Sequence, residues 1–327
     1  SHALEHMMFK RTEDLETGEF STIVAAKGGR ENAFTSADYT AYFQQWSAEN
    51  VELSFELEAE RMHKLVIEDE EFAKEINVVL EERRLRTDDN PQALAVEASR
   101  AVAFQTSPYR YPVIGWEADI KNMSADDLRR WYDRWYGPNN AVVVVVGDVD
   151  PNEVHALAKK HFGPLAARDI PPPRSRPEVP QHGTKRVTFR SAKAKVPYLI
   201  MGFKAPVLVQ AISSATVGEW EIYALDVLAE TLDGDASARF QRNLVRGREI
   251  ASEISAGFSS SSRLTSLFSF NAVPREGTSL AELEQAILDE IEALKTDPPS
   301  AEELERIKTQ VVADTVFERD SMQHQAM

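Results

Sequence analysis

Near the start of the chain, His2-Ala3-Leu4-Glu5-His6 sets two histidines four positions apart with a glutamate between them. On an α-helix, positions i and i+4 lie on one face, so His2 and His6 can aim two ring nitrogens at a common atom. Glu5 follows His2 by three residues and shares that face. A carboxylate there can take a proton from a water whose pKa a metal ion has lowered. The order is the reverse of the commoner H-E-x-x-H. By itself the pentapeptide also fits an ordinary polar helix surface. A catalytic zinc wants three protein ligands and one open position. Glu82 lies 76 positions beyond His6, within INVVLEERRLR, and Glu75 stands seven positions before it, two helical turns away on nearly the same face. Both belong to an acid-rich stretch of the kind that usually faces solvent. Ile76, Val79 and Leu80 nevertheless form an apolar stripe beside Glu75, a placement compatible with a half-buried carboxylate.

The elements that must position these groups follow from periodicity. Residues 1–10 contain no breaker, and Leu4, Met7 and Met8 fall on one helical stripe. After a turn at Gly28-Gly29, Phe34, Tyr39 and Phe43 suggest strands. From Asn50 to Arg86 the apolar residues recur at helical spacing, until Asn90-Pro91 ends the run. A helix carrying Trp131, Trp135 and Tyr136 stops at Gly137-Pro138, and Ala141 to Val146 reads as a buried strand. Further on, strands are expected near 187–189, 198–203, 252–258 and 264–272, with helices over 220–232, 280–295 and 301–319.

Residues 171–180 (PPPRSRPEVP) hold five prolines and read as a semi-rigid extended linker. The pattern predicts an α+β fold of two related mixed domains joined by this linker, an N-terminal domain over 1–170 and a C-terminal domain over 181–327. An acidic helix start recurs in both halves, at Glu68–Phe72 and at Ser300–Leu304. The 327 residues carry 37 basic and 53 acidic side chains, a net charge of −16, which disfavours nucleic acid as a partner. There is no cysteine, so disulfides, thiolate metal sites and thiol nucleophiles are excluded. The longest pure apolar run, Ala141–Val146, is far too short to span a bilayer. A patterned segment starting at Ser1 and the uncapped run at Arg319–Met327 suggest a chain truncated at both ends.

His2-x-x-Glu5-His6 followed by Glu82 at this separation resembles the pitrilysin/insulinase family of zinc peptidases, the inverzincins, which include mitochondrial processing peptidase. HALEHMMFK is similar to that family's metal-site helix, GGRENAFTSADYTAYF to its glycine-plus-Asn-Ala-x-Thr segment, and VVLEERRLRTDDNP to the helix bearing the third ligand. YRYPVIGWEADI, WYGPNNAVVVVVGDVDP and LVRGREIASEISAGF resemble further landmarks in the same order, so the likeness covers most of the chain. The resemblance implies a zinc endopeptidase with one zinc per chain, held by His2, His6 and Glu82. It makes Glu5 the general base and Glu75 a second, supporting carboxylate. It implies that Asn32, Ala33, Phe34 and Thr35 form an edge strand that holds an extended peptide substrate by backbone pairing.

One departure bears on partners. Active members of the family usually carry an Arg and, seven residues later, a Tyr in the second half. Aligned on Ile250-Ala251, those positions hold Val245 and Ser252, and the 225–232 helix has no histidine. The resemblance therefore implies a metal-bearing subunit of a heterodimer whose partner supplies the Arg and Tyr, with a homodimer as the alternative. A non-catalytic peptide-binding or scaffold subunit is the other functional reading. Likeness to exported bacterial members points to the periplasm, ahead of the cytoplasm or the mitochondrial matrix.

Overall fold

The computed structural model describes residues 1–327 apart from 173, 175, 214–216 and 327, so Pro173 and Ser175 of the proline-rich stretch lie outside the described residues. The chain forms two compact units, one of Ser1–Leu85, Pro112–Arg174 and Glu318–Met327, the other of Arg86–Tyr111 and Ser175–Phe317. The first begins with α1 (His2–Met7), α2 (Glu19–Ala26), an antiparallel hairpin of β1 (Arg30–Thr35) and β2 (Thr40–Gln45), α3 (Val51–His63) and α4 (Asp69–Arg83). Helix α5 (Pro91–Ala103) falls in the second unit, while α6 (Glu117–Asn122), α7 (Ala125–Trp135) and α8 (Pro151–His161) return to the first. Then come β3 (Leu199–Ala205), α9 (Leu208–Ser213), α10 (Glu219–Asp233), β4 (Ala251–Gly257), β5 (Ser266–Pro274), α11 (Leu280–Ala293) and α12 (Ala301–Glu318). Strands β3, β5 and β4 make an antiparallel sheet in that order. Helices and short sheets mix in both units, as an α+β fold requires.

A six-residue helix closes too few hydrogen bonds to persist alone, so packing must hold α1. Leu4, Met7 and Met8 are buried against Leu65, Ile67, Phe72, Val79, Ile120 and Leu128. That core joins α1 to α4 and α7, and α1 also lies against β1. The far end of α4 is fixed by buried Arg83, whose Nη1 donates to the Gly115 carbonyl at 2.7 Å. In α3, Arg61 is 1% exposed, ion-paired to Glu58, and stacked over Phe9, Phe20 and Tyr42.

The helical run expected from Asn50 to Arg86 breaks between α3 and α4, and the cause is a side chain from another helix. The Tyr132 hydroxyl accepts from Leu65 N at 3.2 Å and donates to Arg61 O at 2.9 Å. It thereby takes the place of the helical bond from residue 65 to residue 61. Leu65 then bridges to Thr12, and Leu65 and Ile67 turn into the core.

Ala141–Val146, expected as a buried strand, is corrected. The segment forms no regular element and pairs with no strand among the described residues, and Val142 is 88% exposed. Valine runs favour extended backbone, yet burial requires a sheet neighbour, which composition cannot supply. The strand expected near 187–189 is absent for the same reason, with Val187 and Phe189 exposed.

In the second unit the core gathers Leu232, Phe240, Leu244, Ile254, Phe268, Phe270, Leu283 and Ile287 between the sheet and its helices. Glu178, just past the prolines, accepts from the backbone N–H groups of Gln105, Thr106 and Ser107 and pairs with Lys204 at 2.6 Å. Burial opposes its charge, but Lys204 and the three N–H donors outweigh that and hold the carboxyl at about 2.

Two outcomes follow. Leu4→Ala should lower unfolding free energy by about 2–4 kcal/mol in urea titrations with an unchanged m-value, because it opens a cavity in the core that holds α1. The Glu178 carboxyl is depressed on folding, so its contribution is complete above the unfolded value near 4.3 and disappears as pH falls through about 2. Thermal unfolding of Glu178→Gln should therefore show a smaller acid-induced drop in stability than the parent protein across that window.

Candidate metal centre

Helix α1 is rotated by its apolar contacts. Burying Leu4 and Met7 turns the opposite face, carrying His2, Glu5 and His6, toward α4 and the β1–β2 hairpin. On α4, Glu75 and Glu82 stand two turns apart and flank Val79. One ligand atom from each of His2, His6 and Glu82 lies within 4.8 Å of the other two. The imidazole rings are 4.8 Å apart between centroids. Glu82 Oε2 sits 3.4 Å from His2 Nε2 and 3.2 Å from His6 Nε2.

Hydrogen bonding decides which nitrogen of His6 is available. His6 Nδ1 lies 2.9 Å from Glu75 Oε1, and Lys10 Nζ lies 2.6 Å from Glu75 Oε2. Burial works against the Glu75 charge, but His6 and Lys10 outweigh it and hold the carboxyl below the usual carboxylate range. An ionised carboxylate only accepts, so Nδ1 carries the proton and donates to it. Nε2 is left with its lone pair toward Glu82 and His2, the tautomer a metal-ligating histidine needs. The Glu75 hydrogen bond also raises the His6 pKa against the effect of burial, with the Glu75, Glu82 and Glu5 charges adding to it. Two ring nitrogens and a carboxylate oxygen converging at this range are reconciled either by a ring proton or by a cation among them. The donor set therefore fits a small divalent ion with nitrogen and oxygen ligands, zinc among them.

Glu5 is buried beside this cluster, and its Oε2 accepts a short hydrogen bond from Thr35 Oγ1. Asn32, Ala33, Phe34 and Thr35 are the last four of the six residues of β1, which pairs only with β2 among the described residues. Thr35 and Thr40 face each other across the hairpin, their hydroxyl oxygens 3.1 Å apart. The contacts of Lys10 and the two threonine hydroxyls were not read from the sequence. Lys10 follows His6 by four residues, one turn further along the chain, and that spacing was the available signal.

The positions aligned with the family's Arg and Tyr lie in the second unit. Val245 packs on that unit's core, and Ser252 Oγ donates to the Val273 carbonyl at 3.2 Å. Neither side chain offers a charge or an acidic hydroxyl.

The comparisons with known proteins agree with this geometry. The family profile described as insulinase (peptidase family M16) matches residues 1–116, and that described as peptidase M16 inactive domain matches 122–311. The chain is 34% identical over 326 residues to zinc protease PqqE of Helicobacter pylori, spanning 98% of this chain and 70% of that protein. It is similar, at TM-score 0.91 and 33% identity, to the crystal structure of a protease from Helicobacter pylori, covering 99% of this chain and 76% of that one. The periplasmic protease PqqL from Escherichia coli shares the fold at TM-score 0.74 and 22% identity, with 99% of this chain matched to 36% of it. With both halves matched in order and a relative of this identity covered over most of its length, the chain belongs to the insulinase family of peptidases, M16.

Proposed function

We propose that this chain is the metal-bearing part of a zinc-dependent endopeptidase acting on peptides or small unfolded polypeptides. The observation that carries this reading is the convergence of His2, His6 and Glu82 beside a buried carboxylate, Glu5. His2 Nε2, His6 Nε2 and Glu82 would hold one zinc ion. When bound, the ion supplies Lewis-acid polarisation of the scissile carbonyl and lowers the pKa of a water. Glu5 takes a proton from the attacking water and later delivers it to the leaving amine. Glu75, itself held by Lys10, keeps His6 in its Nδ1–H tautomer. Strand β1 at Asn32–Thr35 aligns an extended substrate by backbone hydrogen bonds.

On the same reading, residues 1–170 form the metal-bearing domain, 171–180 the linker and 181–327 a homologous domain with no metal site. With Val245 and Ser252 at the positions discussed above, the oxyanion must be stabilised from elsewhere. A second subunit carrying an Arg and a Tyr is the supply favoured here, and the periplasm is the location, as it is for the PqqL protease that shares this fold.

The test pairs metal analysis with peptide hydrolysis by the full-length protein, with and without its partner subunit. Near-stoichiometric zinc is expected, and Glu82→Ala and His6→Ala should each lose it. Glu5→Gln should keep the zinc while peptide cleavage falls by about 10²–10⁴-fold. Full zinc occupancy with no cleavage even beside the partner would replace this reading with a peptide-binding subunit. High turnover by the chain alone would remove the need for the partner.

A further inference from the structure

The carboxylate of Glu5 is held not by its own helix but by the hairpin. Thr35 Oγ1 donates to Glu5 Oε2, and the same oxygen lies 3.1 Å from Thr40 Oγ1. A hydroxyl has one proton to give. With the Thr35 proton committed to Glu5, the bond between the threonines must run the other way, Thr40 donating to Thr35. The two residues are directly opposed at the end of β1 and β2, so the strand register itself sets this relay. Both are β-branched and restricted about χ1, which limits how far either hydroxyl can wander.

The consequence concerns Glu5. A carboxyl group with one oxygen tied cannot rotate freely about its terminal torsion, which is otherwise broad. Oε2 is occupied by Thr35, and Oε1 is left as the basic atom. A buried carboxylate without this bond would be free to turn about that torsion toward whatever other donor came within reach. We infer that Thr35 is a positioning residue for Glu5, with Thr40 behind it, and that together they hold Glu5 in the single rotamer in which Oε1 takes the proton. This inference rests on the hydrolytic reading above. It gives the end of β1 a second duty, since the backbone of the same residues faces substrate.

The experiment uses zinc-loaded full-length protein, with its partner subunit for kinetics. Wild type, Thr35→Val, Thr35→Ser, Thr40→Val and Glu5→Gln are compared for zinc content, for kcat and KM on a fluorogenic peptide, and for the Glu5 rotamer by crystallography. Valine keeps the shape and branching of threonine and removes only the hydroxyl. Thr35→Val should retain full zinc and a KM within about twofold of wild type, while kcat falls by about 10–100-fold, the scale of a misplaced catalytic group. Thr35→Ser should restore most of kcat, Thr40→Val should give a smaller loss, and Glu5 should occupy more than one rotamer in Thr35→Val but one in Thr35→Ser. A single unchanged Glu5 rotamer with wild-type kcat in Thr35→Val overturns the inference, as does a kcat loss that follows zinc loss. If wild type and Glu5→Gln both fail to cleave, the hydrolytic reading falls, and the rotamer comparison still decides whether Thr35 positions Glu5.

Discussion

Everything in the first unit depends on burying one side of a helix too short to stand alone. Six residues give α1 almost no intrinsic stability, so its orientation is set by where Leu4, Met7 and Met8 find apolar neighbours. Those neighbours lie on α4, α7 and the 65–67 connection, and the connection exists because the Tyr132 hydroxyl interrupts the preceding helix. The rotation that buries the apolar stripe is the one that brings His2 and His6 to Glu82. Site geometry is in this sense a by-product of core packing.

Gathering two histidines and three glutamates in one cleft is electrostatically unfavourable unless donors and cations are distributed among them. Here each acceptor has an assigned partner. Glu75 is satisfied by His6 and Lys10, and Glu5 by Thr35, which leaves the inward ring nitrogens and Glu82 facing one another. On the proposed reading the polar residues around the cluster would not ligate an ion but would determine which atoms remain available to it. In the second unit, Val245 packs on the core and Ser252 is bonded to the Val273 carbonyl, so neither position offers a charge or an acidic hydroxyl.

The valine run at 141–146 illustrates a general limit. A strand is a relation between two segments, and the preference of valine for extended backbone is a property of one. Composition favours extended backbone there, but whether a strand forms is decided by whether another segment lies alongside. The break after Arg61 has the same character, because the residue responsible is 71 positions away. Glu178 is a third case: the prolines around it announce an extended chain, but nothing local announces three N–H donors from 105–107.

What the sequence determined alone is the chemistry and most of the elements. The i, i+4 spacing of His2 and His6, the placement of Glu5 between them, Glu75 and Glu82 two turns apart on nearly the same face, and the helix and strand periods near 30–45, 69–83, 220–232 and 252–272 were legible because each depends on residues close in the chain. The link from Glu82 to the histidines came instead through the family resemblance. Only the tertiary structure decided that α1 and α4 meet, that Glu75 binds Nδ1 of His6 while Nε2 faces Glu82, and that Thr35 reaches Glu5 with Thr40 behind it. Those outcomes depend on which apolar faces bury one another across tens of residues, and local periodicity carries no information about that.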